Sequence, residues 1–331
     1  MAFVLSARKN RMKKNQMIKH NKNIKPFILF TLIALVIAPA LGACQTAPTP
    51  TAENSDQTNI TVSIVPLAYF AERIGGDWVN INTMVGPGEE PHTYEPTPEQ
   101  MKAIANSAIF FSIGVEYEDV WLPRLEETNP EMVIVDTSAG IERIPVPTSI
   151  AEVGVQPADE GDDHEHEGEL DPHVWLSPEN GKIIAESMLK GLIEIAPEHE
   201  ADFRSNADAL IADIDALDSQ IQETLAGDQT RSFIVFHPAW GYFAKQYNLE
   251  QIAVQVGGQD PSASELADLV DIAREQGITV IFVQPSFNSA SADALAQEIG
   301  GTVAAADPLA EDWLDNLNNV ANAFAESFGQ Q

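Results

Sequence analysis

The chain has 331 residues, of which 18 are Lys or Arg and 50 are Asp or Glu, so its formal net charge at pH 7 is −32. A field of this sign repels nucleic acid and anionic lipid and attracts cations, which excludes nucleic acid as a partner. Solubility or a saline habitat explains the same acidity, so the charge alone does not identify a cation-binding protein.

Residues 1–43 have the order of a secretory signal peptide. They contain 8 of the 18 basic residues and no acidic one, then an apolar run from Pro26 to Ile37, then the small residues before position 44. The apolar run is too short to be interpreted first as a membrane-spanning helix. Because the basic part is long, Met12 and Met17 are alternative start sites. We expect an exported protein.

Cys44 is the only cysteine, so no intramolecular disulfide can form. Leu-Gly-Ala-Cys at 41–44 resembles a bacterial lipobox, which implies that Cys44 is lipidated and becomes the mature N-terminus. An ordinary signal peptide with a chance cysteine is the alternative. Residues 44–58 are rich in Pro, Thr and Ser and predict a flexible tether. Together these features predict a lipid anchor in a bacterial membrane, with the protein in the periplasm or on the outer face of the cell.

From residue 59 onward, apolar runs rich in β-branched residues alternate with helical patterns, which predicts parallel sheets built from βα units. The predicted strands are Ile60–Val65, Val79–Val85, Ala108–Ile113, Met132–Val135, Ser232–Phe236, Ile252–Val256, Ile278–Val283 and Thr302–Ala306. The predicted helices are Leu67–Ile74, Pro98–Ser107, one around Val120–Glu126, one near Tyr242, Ala263–Glu275, Ala290–Glu298 and Trp313–Phe328.

The stretch Glu198–Ala226 has almost no Gly or Pro, and its apolar residues recur at steps of three and four. This period predicts one long amphipathic helix. We therefore predict an α/β fold of two small parallel-sheet lobes, residues 59–178 and 231–331, joined by connecting helices over 179–230.

Three of the seven histidines stand beside prolines at the edge of a predicted element. His92 follows the strand that ends at Val85, His173 precedes a helix, and His237 follows the strand that ends at Phe236. Ligands of open α/β sheets bind at the carboxyl ends of strands, where His92 and His237 lie, one in each lobe. Imidazole is the commonest protein ligand for zinc. Any one of these histidines alone is better explained as an ordinary buried or exposed residue. The three together, each at the edge of an element and beside a proline, favour a metal site in the cleft between the lobes.

Four segments carry a family resemblance. They are Pro-His-Thr-Tyr-Glu-Pro at 91–96, Asp-Pro-His-Val-Trp-Leu at 171–176, Phe-His-Pro-Ala-Trp-Gly-Tyr-Phe at 236–243 and Asp-Pro-Leu at 307–309. They resemble the zinc/manganese-specific solute-binding lipoproteins of bacterial ABC transporters, from about Ile60 to the C-terminus. The resemblance implies two lobes bridged by a rigid helix, with His92, His173 and His237 at the three histidine ligand positions.

The resemblance also implies a function. The protein is expected to capture Zn²⁺ outside the cytoplasm and to pass it to an ABC permease, and through the permease to the ATPase, without being an enzyme. Alternatives are a manganese-binding homologue, a metal-dependent lipoprotein adhesin and a zinc hydrolase. No His-Glu-x-x-His spacing occurs, which argues against the hydrolase. A third histidine favours zinc, because manganese prefers oxygen ligands.

The fourth ligand is less defined by the sequence. Asp307 ends the strand Thr302–Ala306 and so opens into the same crevice, and it matches a position where some relatives supply an aspartate. The alternative is that Asp307 caps the turn that follows and that water completes the tetrahedron. Gln284 stands where many zinc-binding relatives have glutamate, and no ligand role is assigned to it.

A second group of histidines lies in the acidic run 158–169, which predicts a loop. The run resembles the His-rich acidic loop that zinc-binding members insert before their second ligand. His164 and His166 are expected to gather zinc loosely and to pass it to His173, and a solvated loop without a role is the alternative. His199 is flanked by glutamates and is expected to be solvated.

Overall fold

The structure is a computed structural model, and it describes residues 57–146, 170–227, 231–255, 259–285 and 290–329. Within this part the strands form two four-stranded sheets, and all neighbouring strands within each sheet are parallel. The strands are β1 Thr58–Ile64, β2 Val79–Val85, β3 Ile109–Ser112, β4 Val133–Asp136, β5 Arg231–Val235, β6 Leu249–Ala253, β7 Val280–Val283 and β8 Thr302–Ala305. The first sheet has the order β2-β1-β3-β4 and the second has the order β6-β5-β7-β8.

β1 is a central strand of the first sheet and is buried on both faces. Ile60, Val62 and Ile64 are fully buried, and so are Thr61 and Ser63 between them. The two hydroxyls are tolerated because each has a partner: Thr61 bonds the hydroxyl of Ser107 and Ser63 bonds that of Tyr117. Parallel sheets covered by helices on both sides need such continuous burial, which explains the unbroken apolar runs.

The helices of the described residues are α1 Val65–Gly75, α2 Pro98–Ile104, α3 Glu116–Thr128, α4 Pro178–Ile195, α5 Glu200–Thr224, α6 Gly241–Gln246, α7 Ala263–Gln276, α8 Ala290–Ile299 and α9 Trp313–Phe328. Side-chain caps define where several of them begin. Thr97 and Gln100 form a capping box at α2, and Ser262 and Glu265 form another at α7.

The long helix α5 packs against elements of both sheets. It contacts α1 and α4, which lie on the first sheet, and α9, which contacts β5 of the second. Its buried side chains belong to one hydrophobic cluster that also contains residues of both sheets. A smaller cluster lies on the other face of the second sheet, beneath α7 and α8. Because close-packed interiors transmit strain and resist compression, this shared core sets the spacing of the two sheets.

The structure confirms the predicted α/β class and the single long helix, and it shifts some boundaries. The strand expected at Ile252–Val256 is Leu249–Ala253, because β6 pairs with β5 from Arg231 onward. The helix expected around Val120 begins at Glu116, where three acidic residues in its first turn favour the helix N-terminus. The expectation that His199 is solvated is wrong, since its ring stacks on Trp78 with centroids 3.8 Å apart.

The proposed signal peptide, most of the tether and the acidic loop lie outside the described residues, together with Cys44, His164 and His166. Among the helices that are described, none is both long enough and apolar enough to cross a bilayer.

Candidate metal centre

Three loops bring His92, His173 and His237 to one point. His92 lies in the 3₁₀ turn Pro91–Thr93 after β2, and His173 directly precedes the 3₁₀ turn Val174–Leu176 that leads into α4. His237 follows the end of β5. One ligand atom of each histidine lies within 4.8 Å of the other two, and this is the only such group of His, Cys, Asp or Glu among the residues that the structure describes. That these residues bind a metal remains a prediction.

The separation of the ring nitrogens is compatible with zinc. The Nε2 atoms of His173 and His237 are 3.2 Å apart. A tetrahedral zinc ion with Zn–N bonds of about 2.0–2.1 Å holds its ligand atoms about 3.3–3.4 Å apart. The ring of His92 completes the triangle, with its centroid 5.3 Å from that of His237 and 6.1 Å from that of His173. In the structure, the same 3.2 Å separation is a hydrogen bond between the two rings.

Each of the three rings has a further polar contact besides its histidine neighbours. Nδ1 of His92 lies 2.8 Å from Oε2 of Glu116, and Nδ1 of His173 lies 2.8 Å from Oδ1 of Asp171. The side chain of Gln255 interacts with the ring of His237 and opposes part of the lowering of its pKa. Metal-binding histidines almost always have such an outer partner, which fixes the tautomer and leaves the other nitrogen for the metal. The contact with Asp171 leaves Nε2 of His173 for the ion, and this is the atom 3.2 Å from Nε2 of His237. In His92, the contact with Glu116 occupies Nδ1.

The segment that carries His173 is tied to the C-terminal half of the chain. The indole of Trp175 donates to the carbonyl of Pro308 at 2.7 Å, and the indole of Trp313 donates to the carbonyl of Trp175 at 2.7 Å. The hydroxyl of Tyr242 donates to the carbonyl of Asp171 at 2.9 Å. These bonds are buried, so they hold the backbone of His173 close to the loop of His237.

Burial controls the protonation of the centre. It lowers the pKa of His237 well below the ordinary histidine value, and the neighbouring His173 and His92 lower it further. His237 is therefore neutral at pH 7, the form that binds metals. Burial is the largest influence on the pKa of Glu116 and would raise it, but His92, the backbone N–H of Glu116 and His173 together lower it, so the net shift is downward. Glu116 is therefore ionised and able to accept a ring N–H.

The other predicted residues of the centre are placed differently. The cleft at the three histidines is lined by Glu90, Glu116, Gln284 and Pro308 among others, and it leaves a cavity of about 10 Å³, roughly the space that one water needs. Asp307 does not line it. One carboxylate oxygen of Asp307 accepts from the backbone N–H of Leu309 at 3.0 Å. This contact agrees with the alternative interpretation, in which Asp307 caps the turn that follows. Its assignment as the fourth ligand stays a prediction.

Sequence reasoning missed Glu116, Asp171 and Gln255. Asp171 had a detectable signal, since it lies two residues before His173 in a segment already singled out. Glu116 and Gln255 reach the histidines only through the folding of distant parts of the chain, so no local pattern marks them. The predicted zinc-gathering histidines, His164 and His166, lie outside the described residues.

Comparison with known proteins identifies relatives of this arrangement. A family model described as the periplasmic component A of the zinc-uptake complex matches residues 60–327. The chain is 30% identical over 280 residues to the zinc-binding lipoprotein AdcA of Streptococcus pneumoniae, covering 84% of this chain and 54% of AdcA. It is 29% identical over 288 residues to the high-affinity zinc uptake system protein ZnuA of Bacillus subtilis, covering 82% and 85%. The chain thus spans about half of AdcA and most of ZnuA.

Solved structures agree with these matches. A crystal structure of ZnuA aligns with a TM-score of 0.73 and 39% identity, covering 82% of this chain and 99% of that one. Other relatives are named as manganese-binding or manganese-transport lipoproteins. Streptococcal laminin-binding proteins are 20% identical, which shows the shared fold alone.

The first turn of α3 is fixed beside the centre by a buried acid. Glu118 is 2% exposed, and its carboxylate accepts from the backbone N–H groups of Ile113 at 3.0 Å and Gly114 at 2.8 Å. Burial raises the pKa of Glu118 to about 7 in spite of these hydrogen bonds. The folded protein therefore holds a proton at Glu118 that the unfolded chain, with its ordinary carboxyl, releases at lower pH.

This difference predicts a pH-dependent stability. In metal-free protein, the free energy of unfolding should fall as pH rises from about 4.5 to 7, with a contribution from Glu118 of at most about 1.4 kcal/mol per pH unit. Glu118→Gln should reduce that slope, because an amide does not titrate. Urea unfolding at a series of pH values measures it, with Glu126→Gln on the exposed end of the same helix as the control. Equal slopes in the two variants would contradict the assignment.

Proposed function

Because this chain belongs to the family of periplasmic zinc-uptake components, we propose that it captures Zn²⁺ outside the cytoplasm and delivers it to an ABC permease. Members of this family are substrate-binding transport proteins and not enzymes. The metal ion is accordingly the cargo of the protein. High-affinity uptake needs a site that is assembled before the ion arrives, and the three converging histidines meet that requirement.

The observation that carries the proposal is the set of three histidines with their outer partners. Glu116, Asp171 and Gln255 each contact one ring, and a ring held in this way binds without losing much further rotational freedom. The alternative of three unrelated core histidines gives no reason for three imidazoles to crowd together. A cation gives the three converging rings one common partner.

The nature of the ligand atoms supports zinc over manganese. Imidazole suits zinc, whereas manganese prefers carboxylate, carbonyl and water oxygens. All three members of the cluster are histidines, and the carboxylates of Glu116 and Asp171 contact the rings of His92 and His173 from outside the cluster. A manganese-binding protein would be expected to place at least one carboxylate in the cluster itself. We therefore propose Zn²⁺ as the principal cargo.

The location and partners follow from the leader and the family. We propose that residues 1–43 are a signal peptide, that Cys44 carries the lipid, and that residues 44–58 tether the folded part to the membrane. The relatives named lipoproteins and the periplasmic family description support this export. The permease, and the ATPase behind it, are the proposed partners. The acidic loop with His164 and His166 is proposed to collect zinc near the cleft.

The ligand assignment predicts the effect of removing one ring. His237→Ala should weaken zinc binding by more than the roughly 10–100-fold that loss of an outer partner costs, because it deletes a direct ligand. Competition with a chelator of known affinity measures this on metal-free protein. His199→Ala is the matched control, since it removes an imidazole that stacks on Trp78 away from the cleft.

Two results would overturn the proposal. One is unchanged zinc affinity in His237→Ala, with the variant still folded by circular dichroism. The other is wild-type protein that binds manganese more tightly than zinc under matched conditions. Thermal unfolding gives an independent check, because a ligand at about 100 times its Kd stabilises the folded state by about 2.7 kcal/mol.

The fourth position is tested by Asp307→Asn. Asparagine keeps an oxygen for the N–H of Leu309 but loses the charge, so folding should be preserved. Since the carboxylate lies outside the cluster, we expect zinc affinity to fall by less than the roughly 10-fold lower limit for an outer partner. Asp293→Asn, exposed on α8 in the same lobe, is the control for net charge. A loss as large as that of His237→Ala would instead establish Asp307 as a ligand.

A further inference from the structure

The three histidines differ in how firmly the fold holds them. His173 is 7% exposed, on a segment bonded to Pro308, Trp313 and Tyr242. His237 follows directly on the buried second sheet. The side chain of His92 is 32% exposed, and its turn follows a loop with two glycines between β2 and α2. The orientation of His92 therefore depends more than the others on a side-chain contact.

Glu116 supplies that contact from another element. It lies in the first turn of α3, lines the cleft, and places the buried oxygen Oε2 2.8 Å from Nδ1 of His92. In the structure this is an ion-pair contact, because the ring N–H is not aligned on the oxygen as in a standard hydrogen bond. Glu90 is a weaker candidate for the role. Its carboxylate accepts from the backbone N–H of His92 at 3.3 Å, and it lies 3.6 Å from the ring nitrogen Nε2, beyond a good hydrogen bond.

Glu116 is itself on a rigid support. The turn before α3 is made by Gly114, whose φ of 84° lies in the left-handed region that favours glycine. Glu118 then locks this turn by accepting from the N–H groups of Ile113 and Gly114. Next to it, the hydroxyl of Tyr117 contacts the hydroxyl of Ser63 in β1 at 2.8 Å. A side chain on such an element can hold its partner within narrow limits.

We propose that Glu116 is the positioning residue of His92: it fixes the ring with its proton on Nδ1 and so presents Nε2 to the ion, without contacting the metal itself. This inference rests on the proposed zinc capture and adds a determinant of its affinity. Glu116 is not a member of the cluster whose ligand atoms lie within 4.8 Å of one another. A carboxylate that accepts a ring N–H also makes the opposite nitrogen a better donor to the metal.

Two other roles would give a similar loss of zinc binding. In the first, Glu116 swings onto the metal as a ligand. In the second, it acts on the metal at a distance through its negative charge. Both roles leave an effect when His92 is absent, because neither passes through the imidazole. If Glu116 acts through His92, removing Glu116 should no longer change the zinc affinity once the ring of His92 is absent. A double-mutant cycle separates these cases.

The experiment measures zinc affinity by chelator competition in Glu116→Ala, His92→Ala and the double variant, with Asp119→Ala as the control. Asp119 is an exposed carboxylate in the same first turn, so the control removes the same charge without touching His92. Glu116→Ala should weaken zinc binding about 10–100-fold, and the control should change it less than about twofold. In the His92→Ala background, removal of Glu116 should cost less than about twofold. Glu116→Gln should recover part of the loss, since its amide oxygen accepts the same N–H.

A spectroscopic readout isolates positioning from general damage to the fold. Long-range ¹H–¹⁵N correlation spectra of the metal-free protein report which ring nitrogen of His92 carries the proton. The proton should be on Nδ1 in the wild type and shift toward Nε2 in Glu116→Ala. An unchanged tautomer, or an undiminished effect of Glu116 when His92 is absent, would overturn the proposal. Wild-type protein without tight zinc binding would instead refute the proposed function, so the two failures are distinct.

Discussion

The packing of α5 against both halves of the chain is the constraint on which the centre depends. Residues of the first sheet, the second sheet and α5 share one hydrophobic cluster, so the spacing of the sheets is set by the volume of that core. His92 follows a strand of the first sheet and His237 follows a strand of the second. The short distance between their rings is therefore a property of the core. Adding or removing even one methylene group in this close-packed core would therefore change the distance between the two rings.

The same arrangement suits the proposed capture of a cation. Three rings held by Glu116, Asp171 and Gln255 lose little freedom when the ion binds, so the cost of ordering is met during folding. Burial keeps His237 neutral, so zinc has no proton to displace there near pH 7. The centre is nevertheless asymmetric. His173 is buried within the fold, whereas His92 is exposed at the edge and depends on one carboxylate.

The sequence was sufficient for the architecture and for the three histidines because both follow from local patterns. Period-3.6 apolar residues identified α5, and continuous β-branched runs identified most strands, since these signals arise from burial of whole faces. His92 and His237 were found because strand ends in open sheets form clefts. Glu116 and Gln255 could not be found this way, since Glu116 lies in α3, Gln255 follows β6, and their contacts depend on how these elements pack against the loops of the histidines. His199 was misjudged for the same reason, because its partner Trp78 is distant in the chain.

The central claim is that one zinc ion is bound by three imidazoles of this cleft. X-ray absorption at the zinc edge, on protein loaded with one equivalent of the metal, tests it directly. The predicted spectrum has three imidazole nitrogens at about 2.0–2.1 Å and one further light atom, as in a tetrahedral site. The imidazole contribution should fall to two rings in His237→Ala. A shell of oxygen atoms alone, or a wild-type spectrum with a single imidazole, would contradict the account.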